Sequence, residues 1–195
     1  FEDDFVWNGR EFDEKRAEAR RAMIRTAEAT LSCKFDGEPL IVGTSGRYEF
    51  RNKGIDIFLD ALKQLAETDA LDREVLVYIT VPSATTGPRK DLQAHLADEN
   101  SPIDPKQNRF CTHYLEHPEW DQILNSIAGS VLANPSSKVK VVFVPTYLNG
   151  RDGIFDKSYY ELLVGMDMTL FPSYYEPWGY TPLESVAFSV QIGRA

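Results

Sequence analysis

The stretch Phe171–Ser185, FPSYYEPWGYTPLES, combines residue types that could hold an anionic ligand rich in hydroxyl groups. Gly179, Tyr180 and Thr181 offer main-chain amides at the start of a predicted helix, where the helix dipole favours an anion. Gly179 also lacks the side chain that would keep a phosphate at a distance. The stretch therefore predicts a phosphate-binding turn, although it contains neither a Walker loop nor a GxGxxG motif.

Two carboxylates of this stretch, Glu176 and Glu184, could suggest the acid and nucleophile of a glycosidase. A retaining pair needs carboxyl groups about 5 Å apart, whereas eight partly helical residues span about 12 Å. We therefore expect the two to contact different parts of a long ligand, such as the hydroxyls of a sugar and of a ribose. The alternatives are a solvated loop acid for Glu176 and, for Glu184, closure of a capping box with Thr181, with Pro182 at the first helical position.

A second loop, Thr44–Gly54, concentrates cations in a chain whose net charge is -9. Arg47 offers a planar fork for a diphosphate, and Lys53 offers a point charge beside a predicted helix start. Such cations neutralise a departing phosphate without a metal. Surface charge would explain either loop alone, but two such loops at one sheet edge favour a site.

The elements around these loops alternate between strand and helix. Strands are predicted at 40–43, 75–81, 139–145 and 168–171, and helices at 13–32, from 52, from 120, at 156–164 and through 190. This order predicts an α/β fold, a Rossmann-like parallel sheet with helices on both faces. Both loops follow strands, and ligands of such folds bind beyond the carboxyl ends of the strands.

The first helix and the polar stretch in the middle of the chain carry further predictions. The first helix is predicted to begin at an N-cap, Asp13, and its arginines are interpreted as a solvated face. These are Arg16, Arg20, Arg21 and Arg25. The polar stretch 83–116 is predicted to be an insertion with one short helix at 90–97.

Length and composition narrow the class of protein. A chain of 195 residues suits one domain, and its acidity argues against binding to nucleic acid. No apolar run approaches the roughly 20 residues that span a bilayer, so we expect no membrane partner. Two cysteines give no disulfide framework, which fits a cytoplasmic protein. Because the chain lacks an initiator Met and stops without a terminal cap, we expect it to be a truncated part of a larger protein.

One group of residues has the spacing of metal ligands: Cys111, His113 and His117. A structural zinc site needs four ligands, and no second pair is present in the sequence. We therefore interpret the three as chance loop residues and expect no metal.

The segments SGRYEFRNKGIDIFLDAL and FPSYYEPWGYTPLES resemble the two signature stretches of the glycogen synthase family of the animal and fungal type. VKVVFVPTYLNG and the helix before Met168 also fit that family, and the resemblance is weakest in 83–116. It implies that residues 1–195 are the donor-binding, C-terminal half of a GT-B glycosyltransferase fold. The partner implied is the missing N-terminal domain of the same parent chain.

The resemblance also implies an activity: retaining transfer of glucose from UDP-glucose to the 4-hydroxyl at the end of an α-1,4-glucan, with no cofactor. Arg47 and Lys53 would hold the diphosphate, and Glu176 would lie near the glucose hydroxyls. The implied donor-binding residues are Tyr159 on the uracil, Glu184 on the ribose, the amides of Gly179, Tyr180 and Thr181 on the phosphate, and Trp178.

Two alternatives stay open. The chain could be a non-catalytic module that binds a sugar nucleotide or glucan, or half of a related GT-B transferase with another nucleotide sugar. Tyr159 cannot distinguish uracil from adenine by stacking, since every base has a flat face. Residues 190–195 depart from the family pattern, so we expect the last strand and the returning helices to be missing. Since the first domain is also missing, we expect the chain alone to be inactive.

Overall fold

The computed structural model describes residues 9–68, 70–104, 109–175 and 179–194, without the side chain of residue 194. The helices are α1 (Gly9–Leu31), α2 (Ile55–Ala66), α3 (Lys90–Ala97), α4 (Gln122–Ala128), α5 (Tyr159–Leu163) and α6 (Tyr180–Ala187). The strands are β1 (Leu40–Ser45), β2 (Val75–Thr80), β3 (Thr85–Pro88), β4 (His113–Leu115), β5 (Val139–Phe143), β6 (Met168–Phe171) and β7 (Gln191–Arg194). None of the described helices is long and apolar enough to cross a membrane.

Five strands form one parallel sheet in the order β5-β2-β1-β6-β7. The chain runs from β1 outward through β2 to β5, then returns to the other side of β1 for β6 and β7. Right-handed crossovers in these two directions place α2 and α5 on opposite faces of the sheet. The predicted α/β class is confirmed, and the architecture is that expected of one Rossmann-like half of a GT-B enzyme.

Burial explains the sequence of the central strands. Every residue of β2 and of β5 is buried. A parallel sheet covered on both faces needs such continuous apolar runs instead of an alternating pattern. The strands at 75–81 and 139–145 could therefore be predicted to within two residues.

Helix α1 is fixed to the sheet by a partly buried ionic cluster around Asp167. Its two carboxylate oxygens accept hydrogen bonds from Arg16 (Nη2, 2.6 Å) and Arg20 (Nη1, 2.9 Å), and the Ile41 amide donates to it as well, at 2.8 Å. The interpretation of a solvated arginine face is therefore wrong for Arg16 and Arg20. The helix also begins at Gly9, so Asp13 lies inside it and is not its N-cap.

The polar stretch 83–116 is packed onto the edge of the sheet. Strands β3 and β4 pair antiparallel, and Cys111 bridges to Phe143 of β5. Arg89 is fully buried and its Nη2 lies 2.6 Å from Asp91. Burial alone would raise the pKa of Asp91, but the Arg89 guanidinium holds it below its ordinary value. The predicted short helix at 90–97 is confirmed as α3.

The histidine of the Cys-x-His spacing has structural hydrogen bonds. The Nε2 of His113 donates to the Asp152 carbonyl at 2.9 Å, and its Nδ1 lies 2.9 Å from the Thr112 hydroxyl. Burial lowers the pKa of His113 and raises that of the Cys111 thiol. Within residues 9–68, 70–104, 109–175 and 179–194, no group of three or more His, Cys, Asp or Glu is placed to hold a metal ion.

Two predicted helix starts are wrong. Helix α2 begins at Ile55, with Gly54 as its N-cap, and not at 52, because residues 51–54 form a separate turn. Helix α5 begins at Tyr159 and not at 156, because a capping box of Ser158 and Glu161 starts it there.

The helices around 120 and before 190 also differ from the prediction. Helix α4 begins at Gln122, and Trp120 lies in the preceding 3-10 turn with 74% of its surface exposed. Helix α6 ends at Ala187, and Gln191–Arg194 form β7 parallel to β6. A strand beyond β6 is therefore present in the chain.

The loops that follow β1 and β6 meet at Gly54. Its φ is +64°, and a Cβ built on it would lie 1.7 Å from the Pro172 carbonyl oxygen. Next to this contact, the Tyr174 amide donates to the Asn52 carbonyl at 3.1 Å. Because only glycine permits this approach, residue 54 determines how the two loops are spaced.

We predict that Gly54→Ala lowers the free energy of unfolding by about 3 kcal/mol, because it combines a left-handed conformation with a clash against main chain. Gly37→Ala is the control: its φ is +88°, but nothing lies within 4 Å of the added carbon. It should cost about 1 kcal/mol. Urea denaturation of both variants measures the difference, and equal losses would show that the Pro172 contact contributes nothing.

Candidate functional site

Two neighbouring cavities open at the carboxyl edge of the sheet, where the strand order changes direction at β1. The central cavity has a volume of about 410 Å³ and is lined by Arg47, Lys53 and Ser173 together with the first residues of α6. The lateral cavity has a volume of about 270 Å³ and is lined by Tyr147, Tyr159 and Glu184, among others. This edge is where α/β folds bind ligands.

The two cavities share one wall, formed by Ser45 at the end of β1, by Gly46 and Arg47 after it, and by Thr181 at the start of α6. A ligand with two chemically different parts could therefore occupy both. The loop after β1 and the start of α6 were each singled out in the sequence, and the structure brings them together.

The cations of the site lie on the loop after β1. Arg47 has 77% of its side chain exposed, and its Nε lies 3.1 Å from the Glu49 carboxylate. Glu49 also accepts a hydrogen bond of 2.6 Å from the Asn52 amide group. Lys53 lies half-buried in the central cavity. An exposed guanidinium held by one carboxylate can turn to an anion at low cost, since surface ion pairs are weak.

The start of α6 has the features expected of an anion-binding turn, but the predicted capping box is wrong. The helix begins at Tyr180 with Gly179 as N-cap, at φ 61°, and among the residues that the structure describes no side chain caps it. The Glu184 carboxylate instead accepts a hydrogen bond from the Tyr160 hydroxyl at 2.9 Å. Gly179, Tyr180 and Thr181 all line the central cavity, where the positive end of the helix dipole favours an anion.

Tyr159 lies in the lateral cavity, in a fixed position. Its hydroxyl is 2.8 Å from the Ser45 hydroxyl, and burial raises the pKa of Tyr159. The capping box of Ser158 and Glu161 begins α5 at Tyr159 and so orients it. A neutral aromatic ring whose hydroxyl group is fixed by a hydrogen bond suits stacking with a flat ligand group.

Sequence reasoning missed the residues that position these side chains. Tyr160 stacks on Phe188 with ring centroids 5.3 Å apart, which joins α5 to α6 and orients Glu184. Ser45 fixes the Tyr159 hydroxyl. The only available signals were the Tyr-Tyr pair and the place of Ser45 at the end of β1. Of the predicted site residues, Glu176 and Trp178 lie outside the described part of the chain.

Comparison with known proteins gives one family. The model of the glycogen synthase family matches residues 94–192. A glycogen [starch] synthase of Neurospora crassa is 30% identical over 213 residues, covering 80% of this chain and 30% of that protein. The human liver glycogen [starch] synthase is 28% identical, with 77% and 29% covered, and that of Caenorhabditis elegans is 27% identical, with 75% and 30% covered.

The chain thus spans about 30% of the length of the curated relatives that it matches. The family model covers β5, α5, β6 and α6, and so includes Tyr159 and Glu184 of the lateral cavity and Gly179–Thr181 of the central cavity. The predicted resemblance is confirmed: this chain belongs to the glycogen synthase family.

Proposed function

We propose that this chain is the donor-binding half of a glucosyltransferase that moves glucose from UDP-glucose to the non-reducing end of an α-1,4-glucan with retention of configuration. The observation that carries the proposal is the central cavity. There, Arg47 and Lys53 line the same space as the N terminus of α6. Three sources of positive potential around one space favour a diphosphate over a neutral ligand.

The lateral cavity supports a nucleoside as the other part of the ligand. Tyr159 offers a ring for the base, and the Glu184 carboxylate offers acceptors for the two ribose hydroxyls. Ser45–Arg47 and Thr181 line both cavities. A nucleoside diphosphate with its phosphates in the central cavity would therefore place its nucleoside in the lateral cavity. We assign uracil as the base because the relatives are glycogen synthases, and a different base would still fit the stacking geometry.

In the proposed reaction, the bond between glucose C1 and the diphosphate oxygen breaks. A new bond forms from C1 to the 4-hydroxyl oxygen of the glucan, and the hydroxyl proton passes to the departing diphosphate. Arg47, Lys53 and the amides of Gly179–Thr181 would stabilise the charge that develops on the leaving group. Such placed donors are worth about 10²–10³ in rate each, so no metal is required.

We predict that Arg47→Ala weakens UDP binding about thirtyfold, or ~2 kcal/mol, because the diphosphate loses its forked donor. Isothermal titration of the chain with UDP measures the change. Arg51→Ala is the matched control, since Arg51 is an exposed cation of the same loop that lines neither cavity. If the two variants lose equal affinity, general surface charge, and not a specific contact, attracts the ligand.

We also predict that Glu184→Gln weakens UDP binding about tenfold but leaves binding of inorganic diphosphate unchanged, since Glu184 lies in the lateral cavity. Glu67→Gln, at the exposed C-cap of α2, removes the same charge away from the site. Titrating each variant with both ligands separates ribose contacts from the effect of charge. A parallel loss of diphosphate binding in Glu184→Gln would place this residue at the phosphates instead.

A further inference from the structure

A separate cavity, of about 220 Å³, lies at the edge of the sheet where β5 begins, opposite to the edge that carries the central and lateral cavities. It is lined by the end of α1, the start of β5 and the residues around Phe110. We call it the basal cavity. It shares none of its described lining residues with the central or the lateral cavity, so it is a space of its own.

Lys140, the second residue of β5, brings a buried ammonium group to the basal cavity. Only 8% of the residue is exposed. Its Nζ donates a hydrogen bond to the Pro135 carbonyl, and an ammonium group has two further N–H bonds to donate. Among the described residues, no carboxylate forms an ion pair with Lys140 and no second acceptor bonds to its Nζ. Because a buried charge without a counterion is costly, an anion beside this group would be stabilising.

A second cation, Arg109, lines the same cavity. Its guanidinium carbon lies 5.3 Å from the centre of the Phe110 ring, which is buried and supports one face of the guanidinium. Against these two cations, the described lining contains one carboxylate, that of Asp104. The described lining is therefore positive in a chain whose net charge is -9.

The acids around this cavity have partners of their own. Glu28 and Glu74 both act electrostatically on Cys33, which lines the cavity. Glu28 accepts a hydrogen bond of 2.6 Å from Lys34, and Glu74 accepts one of 2.8 Å from the Asp36 amide. These two carboxylates therefore do not serve as counterions for the cations of the cavity.

Cys33 shows that both cations act on the same point. Burial raises the pKa of the Cys33 thiol, and the positive charges of Lys140 and Arg109 oppose this rise. An anion placed beside the thiol would therefore feel the attraction of both cations. Cys33 thus supplies a natural chemical reporter for the basal cavity.

We propose that the basal cavity is a second anion site, which binds inorganic phosphate or a small phosphate ester. Two cations match the two negative charges of such a ligand. The fork of Arg109 fits two of its oxygens, and Lys140 adds a point charge. A volume of about 220 Å³ is too small for a nucleoside diphosphate, because pockets for ligands of that size have about 300–1,000 Å³. The proposal is independent of the proposed function, since this cavity lies at the other edge of the sheet.

Alkylation of Cys33 by iodoacetamide, a neutral reagent, tests the proposal with inorganic phosphate as the probe. Cys33 is half-buried, whereas Cys111 is fully buried and should not react in the folded chain. Bound phosphate would cover the thiol and neutralise the two cations that favour the reactive thiolate, so both effects slow the reaction. We expect about 10 mM phosphate to slow alkylation of Cys33 about tenfold, as for a Kd of about 1 mM. Mass spectrometry of the peptides locates and counts the label.

Three variants test the assignment, each compared with and without phosphate. Lys140→Met keeps an unbranched side chain but removes the ammonium group, so protection of Cys33 should be lost. Lys138→Met is the matched control, since Lys138 is exposed, donates to the Leu71 carbonyl and does not line the cavity. Arg109→Gln, which changes no strand, should weaken protection at least about threefold and tests the same site if Lys140→Met folds poorly.

Arg47→Ala separates this site from the proposed donor site, because Arg47 lines the central cavity and not the basal one. Protection that persists in Arg47→Ala and Lys138→Met but is lost in Lys140→Met supports a distinct anion site. Absence of protection in wild type, equal protection in Lys140→Met, or loss in Arg47→Ala overturns it. Equal slowing by sodium chloride at the same ionic strength also overturns it, since charge screening would then explain the effect. Failure of UDP to bind would count against the donor site alone.

Discussion

The contact between Gly54 and Pro172 is the constraint on which the candidate site depends. A Cβ at residue 54 would lie 1.7 Å from the Pro172 carbonyl oxygen, so no other residue allows this spacing of the loops. The contact lies between the last residue before α2 and the first residue after β6. It thereby holds the cations after β1 beside the segment that leads to α6. The hydrogen bond from the Tyr174 amide to the Asn52 carbonyl keeps the same two loops in register.

The sheet topology decides what this contact can bring together. Strand β1 lies between β2 and β6, and the chain leaves β1 and β6 toward the same edge. The central and lateral cavities are built from the loops at that edge, so one strand order places a cationic space next to a tyrosine-lined space. The Asp167 cluster stabilises the opposite side: it joins Arg16 and Arg20 of α1 to the start of β1, far from the ligand edge.

The strands and site residues that depend on local sequence patterns could be predicted. Buried runs identified β2 and β5, and the types of residue in the two loops identified Arg47, Lys53 and Gly179 as a group. Contacts between residues that lie far apart in the sequence could not be predicted. Arg16 meets an aspartate 151 positions away, and Glu184 leaves the predicted capping box for the hydroxyl of Tyr160. Trp120 fitted a helical pattern, but Asp121 caps α4 after it and leaves the indole outside the core.

We propose that the loop after β1 and the start of α6 form one binding surface for a nucleoside diphosphate. Hydrogen–deuterium exchange of the chain with and without UDP tests it most directly, because it locates the ligand without any substitution. We expect UDP to slow exchange in residues 46–54 and 179–184 together, while exchange in β3 and β4 is unchanged. Slower exchange in only one of these segments, or in neither of them, would contradict it.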